Sequence, residues 1–238
     1  MISELSDAAP AALSRLLTIM ERLRAPGGCP WDAEQTPESL KPYIIEEAYE
    51  VVEAIDRGDV GELRDELGDL LLQVVFLARI HEEREDFSMS DVIRAIADKL
   101  VRRHPHVFAG TPTGDARMLA EQWETIKRGE QPETTFEHPL ERLPRHLPAL
   151  QKAGKLAEKT GFNEATGGLS AFFEQADREL KAVGRSLNRD EREQTREHLG
   201  SLLFTLAGLA VSLDQDAEDI LRGHNQRVLT HHIKADTD

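Results

Sequence analysis

The sequence predicts an all-α protein made of two related helical domains. Three observations carry that prediction. Apolar residues recur at helical spacing along almost the whole chain, and no convincing period-2 strand interrupts them. Aromatic residues make up only 5% of the 238, so the core is expected to consist of Leu, Val, Ile and Ala, which suits helices. The second half also repeats the apolar pattern of the first.

The elements follow in order. Leu13, Leu16, Leu17, Met20 and Leu23 form one stripe and predict a helix over residues 12–24. A loop rich in Pro and Gly follows, around Gly28-Cys29-Pro30-Trp31-Asp32. The second helix has two candidate starts. Thr36 caps it with Pro37 at the first position, or Pro42 is itself the first residue. It ends near Arg57-Gly58, and the third helix covers about residues 59–85 with Leu63, Leu67, Leu70, Val74 and Leu77 expected to be buried. A fourth starts at a cap on Ser90 and stops at Pro105, and a fifth covers about residues 116–128. Residues 129–146 hold turn formers and no sustained stripe, and read as a linker before helical patterning resumes near Leu147. The expected domains are therefore 1–128 and 147–238, each a bundle of four to five helices.

Composition excludes some functions. The formal net charge of −15 disfavours a nucleic acid polymer as partner. A small phosphorylated ligand stays open, because a bound divalent cation inverts the local field. The single cysteine, Cys29, excludes an intramolecular disulfide, fits a reducing compartment and reads as a packed thiol. The opening Met-Ile-Ser-Glu-Leu-Ser-Asp has neither a basic start nor an apolar run, and no stretch approaches the roughly 20 apolar residues that span a bilayer. A cytoplasmic protein with no membrane partner is expected.

The candidate site is a set of acids on two neighbouring helices. Glu46, Glu47 and Glu50 lie in Ile-Ile-Glu-Glu-Ala-Tyr-Glu, and Glu66 and Asp69 in Asp-Glu-Leu-Gly-Asp-Leu. Residues three and four apart share a helix face, so Glu46 projects with Glu50, Glu47 lies beside them, and Glu66 projects with Asp69. The short turn Asp56-Arg57-Gly58-Asp59 lets the two helices pack antiparallel and joins the acidic faces. Clustered carboxylates repel unless a cation neutralises them, and hard oxygen donors in this number suit Mg²⁺, with Mn²⁺ as a substitute.

The internal repeat acts as a control. Asp65-Glu66-Leu67-Gly68-Asp69-Leu70-Leu71 aligns with Glu197-His198-Leu199-Gly200-Ser201-Leu202-Leu203. The apolar positions and the glycine persist, whereas Glu47 aligns with Gln175, Glu50 with Arg178, Glu66 with His198 and Asp69 with Ser201. Any one glutamate on a helix reads as solvated surface. Five at this spacing, beside strong apolar stripes and mostly replaced in the repeat, read as a site confined to the first half. Glu53 and Glu62, on nearby turns, read as surface or supporting residues.

Glu46-Glu47-x-x-Glu50 followed by Glu66-x-x-Asp69 resembles the signature of the MazG-type nucleoside triphosphate pyrophosphohydrolases, of the all-α NTP pyrophosphatase superfamily. Gly28-Cys29-Pro30-Trp31-Asp32, Lys99-Leu100-Val101-Arg102-Arg103-His104-Pro105-His106-Val107-Phe108 and Trp123-Glu124-x-Ile126-Lys127 resemble the same family, over about residues 12–128. The duplicated architecture is similar to two-domain members, except that the second copy replaces most of the acids. The resemblance implies Mg²⁺-dependent hydrolysis of nucleoside triphosphates to monophosphate and pyrophosphate, a house-cleaning or stress role, and a homodimer or higher homo-oligomer that completes the bundles.

On that reading Glu46, Glu47, Glu50, Glu66 and Asp69 bind the metal, and one carboxylate it does not fully engage serves as general base. Lys99 and Arg102 bind phosphate, although cations in the last turns of a helix also favour the helix dipole. Trp123 and Lys127 close over the nucleotide. Trp31 reads as a core anchor beneath its loop, with base stacking as the alternative, and His104 and His106 as bystanders to the metal. Two rivals are weighed. A di-iron bundle needs Glu-x-x-His pairs, and no histidine here has a glutamate three residues before it. A non-catalytic nucleotide sensor is the second rival, and the intact first copy argues against it. The sequence contains no Gly-x-x-x-x-Gly-Lys-Ser/Thr loop, so a P-loop enzyme is not expected.

Overall fold

The structure is a computed structural model of the chain and describes residues 8–110, 115–130, 140, 143–162 and 168–235. Among these residues the regular structure is entirely helical. In chain order the helices are α1 (Ala8–Arg24), α2 (Pro30–Glu34), α3 (Pro37–Arg57), α4 (Val60–Glu83), α5 (Met89–Arg103), α6 (Pro105–Phe108), α7 (Ala116–Gly129), α8 (Ala149–Lys159), α9 (Leu169–Asn188), α10 (Arg192–Ser212) and α11 (Ala217–Ala235). The chain divides into two compact units, Met1–Pro132 and Glu133–Asp238. Most of the segment read as a linker lies outside the described residues. No helix among the described residues is long and apolar enough to cross a membrane.

Local chemistry sets the helix ends. α1 starts ahead of the expected residue 12, because Pro10 falls in the first turn, where no N–H is needed. Of the two candidate starts for α3, Thr36 is the cap. Its hydroxyl accepts from the Ser39 N–H at 3.2 Å, the Ser39 hydroxyl accepts from the Thr36 N–H at 2.9 Å, and Pro42 sits inside the helix. Gly58 ends α3 at φ +70°, and the Asp59 carboxylate accepts from the N–H groups of Gly61 and Glu62 at 2.9 and 3.0 Å to begin α4. This two-residue turn makes α3 and α4 an antiparallel pair. Before it, the chain folds back tightly on the end of α1. Cys29 N–H donates to the Leu23 carbonyl at 2.7 Å, and a Cβ at Gly28 would lie 2.3 Å from that carbonyl oxygen.

Two expectations are corrected here. The cap of α5 is Ser88 and not Ser90: Ser88 has Asp91 three residues on, and the Asp91 carboxylate accepts from the Ser88 N–H at 2.9 Å. The buried face of α4 is Gln73, Val75, Phe76, Ala78 and Ile80, whereas Leu67 and Val74 are 50% and 39% exposed. Leu63, Leu70 and Leu77 are half-buried. The reason is that α1 covers only the C-terminal half of α4, where Met20, Leu40, Val75, Phe76 and Ile80 form the core with Leu16 and Leu17 against them. Full burial of such a side chain is worth about 1.5–3 kcal/mol.

Arg24 ties this core to the loop before α3. Its guanidinium donates to both Glu83 carboxylate oxygens at 2.8–3.2 Å and to the Gln35 carbonyl at 3.3 Å, and lies over the Phe76 ring at 5.4 Å.

In the second unit α9 and α10 form the counterpart of the α3–α4 pair, and α8 packs on α10 as α1 packs on α4. Phe162 meets Phe172 and Phe204 edge to face, with ring centres 5.8 and 5.2 Å apart.

Candidate metal centre

The antiparallel pair brings three of the five acids together. Glu47 projects from α3, and Glu66 and Asp69 project from one face of α4, each offering a carboxylate oxygen within 4.8 Å of the others. Glu47 and Glu66 are half-buried and Asp69 is exposed. No ion pair among the described residues neutralises any of the three.

The electrostatics record this unbalanced charge. Partial burial raises the pKa of Glu47 above the ordinary carboxylate value, helped by the Asp69 and Glu50 charges and by a hydrogen bond its protonated form donates to Glu50. Desolvation likewise raises Glu66, with repulsion from Glu50, Asp69, Glu62 and Asp65 behind it. Glu50 is thus beside the group without belonging to it. Glu46 is exposed and lies outside it. The donor set is all carboxylate oxygen, close-spaced and uncompensated, which fits a hard divalent cation.

Gln73 also reaches the group. Its amide nitrogen donates to Glu47 at 3.4 Å. Gln73 is absent from the sequence reading, although a readable signal exists. It is the polar residue in Leu-Leu-Leu-Gln-Val-Val-Phe, one turn beyond Asp69 on the same face.

The remaining candidates are placed as follows. Glu53 and Glu62 both pair with Arg57, Glu62 at 2.8 Å. Lys99 is exposed on the last turns of α5. Arg102 pairs with Glu130 at 3.2 Å and stays 55% exposed. Arg103 binds the same carboxylate at 2.7 Å and lies over Trp123 at 5.1 Å, while His104 meets Trp123 edge-on at 5.0 Å. Trp123 is therefore held by the end of α5. The Lys127 side chain lies outside the described residues. Trp31 is not a core anchor: it is 53% exposed and touches Tyr43 edge-on at 6.2 Å, because the loop under which it was expected forms α2 and turns it outward.

The second unit has a different polar set at the corresponding place. A cleft of about 350 Å³ is lined by Phe162, Gln175, Glu179, Ser201, Phe204 and Thr205. His198, the counterpart of Glu66, meets the Glu179 carboxylate at 2.9 Å, and Gln175 donates to Glu179 at 2.9 Å. The acid facing His198 is thus Glu179, one residue beyond the Arg178 that sequence alignment sets against Glu50. One acid persists there, already paired.

Known proteins resemble this chain over most of its length. A family model described as the MazG nucleotide pyrophosphohydrolase domain matches residues 35–108, which hold all five acids. The nucleoside triphosphate pyrophosphohydrolase of Escherichia coli (strain K12) is 41% identical over 221 residues, 90% of this chain and 83% of that protein. The nucleoside triphosphate pyrophosphohydrolase/pyrophosphatase MazG of Thermotoga maritima is 43% identical over 210 residues, 87% of this chain and 78% of that protein. A crystal structure of a mazG-related protein from Thermotoga maritima aligns with 48% of this chain and 98% of its own at 28% identity, with a TM-score of 0.42. With two relatives above 40% identity and matched across most of their length, the chain belongs to the MazG family.

Proposed function

We propose that the first half of this chain hydrolyses nucleoside and deoxynucleoside triphosphates to the monophosphate and pyrophosphate, dependent on Mg²⁺. The observation that carries the reading is the convergence of Glu47, Glu66 and Asp69 oxygens within 4.8 Å, with no ion pair among the described residues to balance them. The names of the two relatives above support the substrate class and the bond.

Glu47, Glu66 and Asp69 would hold the metal. When bound, Mg²⁺ supplies charge neutralisation at the phosphate oxygens and acidifies a water. Glu50, beside the group but outside it, is the carboxylate left to take the proton of the attacking water. Glu46 would act from the rim. Lys99 and Arg102, exposed near the end of α5, supply positive charge to the triphosphate tail. Trp123 and Lys127 belong to the nucleotide side of the site. Residues 1–128 form the catalytic domain, 129–146 the linker and 147–238 a domain without its own metal.

The chain works as a homodimer on this reading. Leu67, Leu71 and Val74 on α4, with Ile93, Ile96 and Leu100 on α5, are each 39–50% exposed. A second copy of the same helices would cover them. The reaction suits removal of surplus or damaged triphosphates in the cytoplasm.

Product analysis with a panel of triphosphates and Mg²⁺ tests the reading, comparing wild type with Glu47→Gln and Asp69→Asn. Monophosphate plus pyrophosphate, lost in both variants, is the expected result. Diphosphate plus orthophosphate would overturn the bond assignment, and no turnover by folded protein would leave a nucleotide sensor.

A further inference from the structure

Gln73 is an expensive residue where it stands. It is 7% exposed, and its chain neighbours Leu72, Val75 and Phe76 belong to the apolar core. Its amide nitrogen reaches Glu47 at 3.4 Å, while its carbonyl oxygen is buried with no hydrogen-bond partner. An ionised carboxylate only accepts, so the amide must turn its NH₂ toward Glu47, which points the carbonyl away from that partner. An unpaired buried acceptor costs stability that an apolar side chain of similar length would not lose.

The second unit shows the same register without that cost. Thr205 stands where the repeat places Gln73, and it is 2% exposed. Its hydroxyl donates to the Ser201 carbonyl at 2.8 Å, a bond that stays on its own helix. Where the facing acids are gone, the buried polar residue at this position satisfies itself locally. Where they are present, it reaches across to one of them.

Resting on the metal-centre reading above, we propose that Gln73 is a positioning residue: its amide holds the Glu47 carboxylate toward Glu66 and Asp69, and the unpaired carbonyl is the consequence. Residues that orient metal ligands in this way typically change metal affinity about 10–100-fold when replaced. The effect should appear in metal affinity and not in folding.

The test uses the full chain. Mn²⁺ is titrated calorimetrically into wild type, Gln73→Met and Glu47→Gln, and each is melted in EDTA. Gln73→Met is expected to melt at or above the wild-type temperature, because the orphan carbonyl is gone, and to bind Mn²⁺ about 10–100-fold more weakly. Its turnover at limiting Mg²⁺ should fall by a similar factor and recover at high Mg²⁺, with kcat nearly unchanged. Mn²⁺ affinity within about twofold of wild type would overturn the proposal. So would a clear drop in the EDTA melting temperature, repeated in Gln73→Leu, which would make the amide a structural group. Failure of wild type itself to bind Mn²⁺ would overturn the metal-centre reading beneath it.

Discussion

His198 meets Glu179 at 2.9 Å between α9 and α10, at the place where Glu66 faces Glu50 between α3 and α4. One unit sets acid against acid and the other sets acid against imidazole. In the second arrangement the lone carboxylate already has hydrogen-bond partners in His198 and Gln175, and no acid cluster remains to call for an external cation. Divalent metal should therefore bind in the first unit only. Mn²⁺ titration should lose its signal in Glu66→Gln and remain unchanged in Glu179→Gln; metal binding that survives Glu66→Gln would place a site elsewhere.

Glu46 and Glu47 are neighbours in sequence with different surroundings. Glu47 is half-buried in the carboxylate group and held by Gln73, while Glu46 is exposed outside it. Glu47→Gln should lower kcat/KM by about 100-fold or more, and Glu46→Gln by less than about tenfold. Steady-state kinetics on the preferred triphosphate separates the two, and equal losses would put Glu46 in the metal set.

The raised proton affinities of Glu47 and Glu66 give metal-free stability a pH dependence of known sign. The folded chain holds these protons more tightly than the unfolded chain, so their contribution is full below the ordinary carboxylate value and is lost as pH rises through the raised ones. In EDTA, wild type should lose melting temperature relative to Glu47→Gln as pH climbs from about 4 to about 7. Mg²⁺ should reverse that loss at the upper end, where the carboxylates are ionised and free to bind it. Parallel curves for the two proteins would contradict this.

Arg24 should be the most sensitive charged residue for stability in the first unit. Its side chain is 7% exposed, and it joins α1, the loop before α3 and α4 through Glu83, the Gln35 carbonyl and the Phe76 ring. Arg24→Ala should cost about 2 kcal/mol, less than a fully buried pair because Glu83 keeps contact with water. Arg24→Lys should recover little, since an ammonium has three N–H groups for four acceptors, the two Glu83 oxygens and the carbonyls of Asp32 and Gln35, and lacks the planar fork that reaches them together. Hydrogen bonds from Arg24 hold Glu83 below the ordinary carboxylate value, a contribution present at neutral pH and lost on acidification. Denaturant unfolding of both variants at neutral and acidic pH checks magnitude and sign together.

Much of this was legible in the chain. The 3.6-residue stripes place the long helices of the first half, since an amphipathic face is fixed by spacing alone, while for the second half they give only that helical patterning resumes near Leu147 and repeats the first. The two short helices α2 and α6 lie below the length at which periodicity is visible, and each begins at a proline within a stretch that reads as loop. Ser88 against Ser90 was decidable from Asp91, the third residue of a capping box. Leu67 and Val74 were not decidable, because a stripe shows that a face is apolar and not which helix, or which copy, covers it. At the site, spacing identifies the acids as a set, but it ranks Glu46 beside Glu47. Only the rotation of α3 against α4 separates them. The surviving Glu179 escaped for a related reason: a one-residue shift in a helix without a strong motif leaves the apolar pattern nearly intact.

The turn at Gly58 and Asp59 also bears on how the site forms during folding. Because only two residues separate α3 from α4, every proposed metal ligand lies within one helical hairpin, close in sequence as well as in space. The loop-closure entropy of bringing these acids together is correspondingly small. The mutual repulsion of the acids is met early, while the hairpin itself is forming. A divalent cation present at that stage would favour the hairpin before α1 and α5 have docked, so metal concentration should influence the rate of folding as well as the stability of the folded chain.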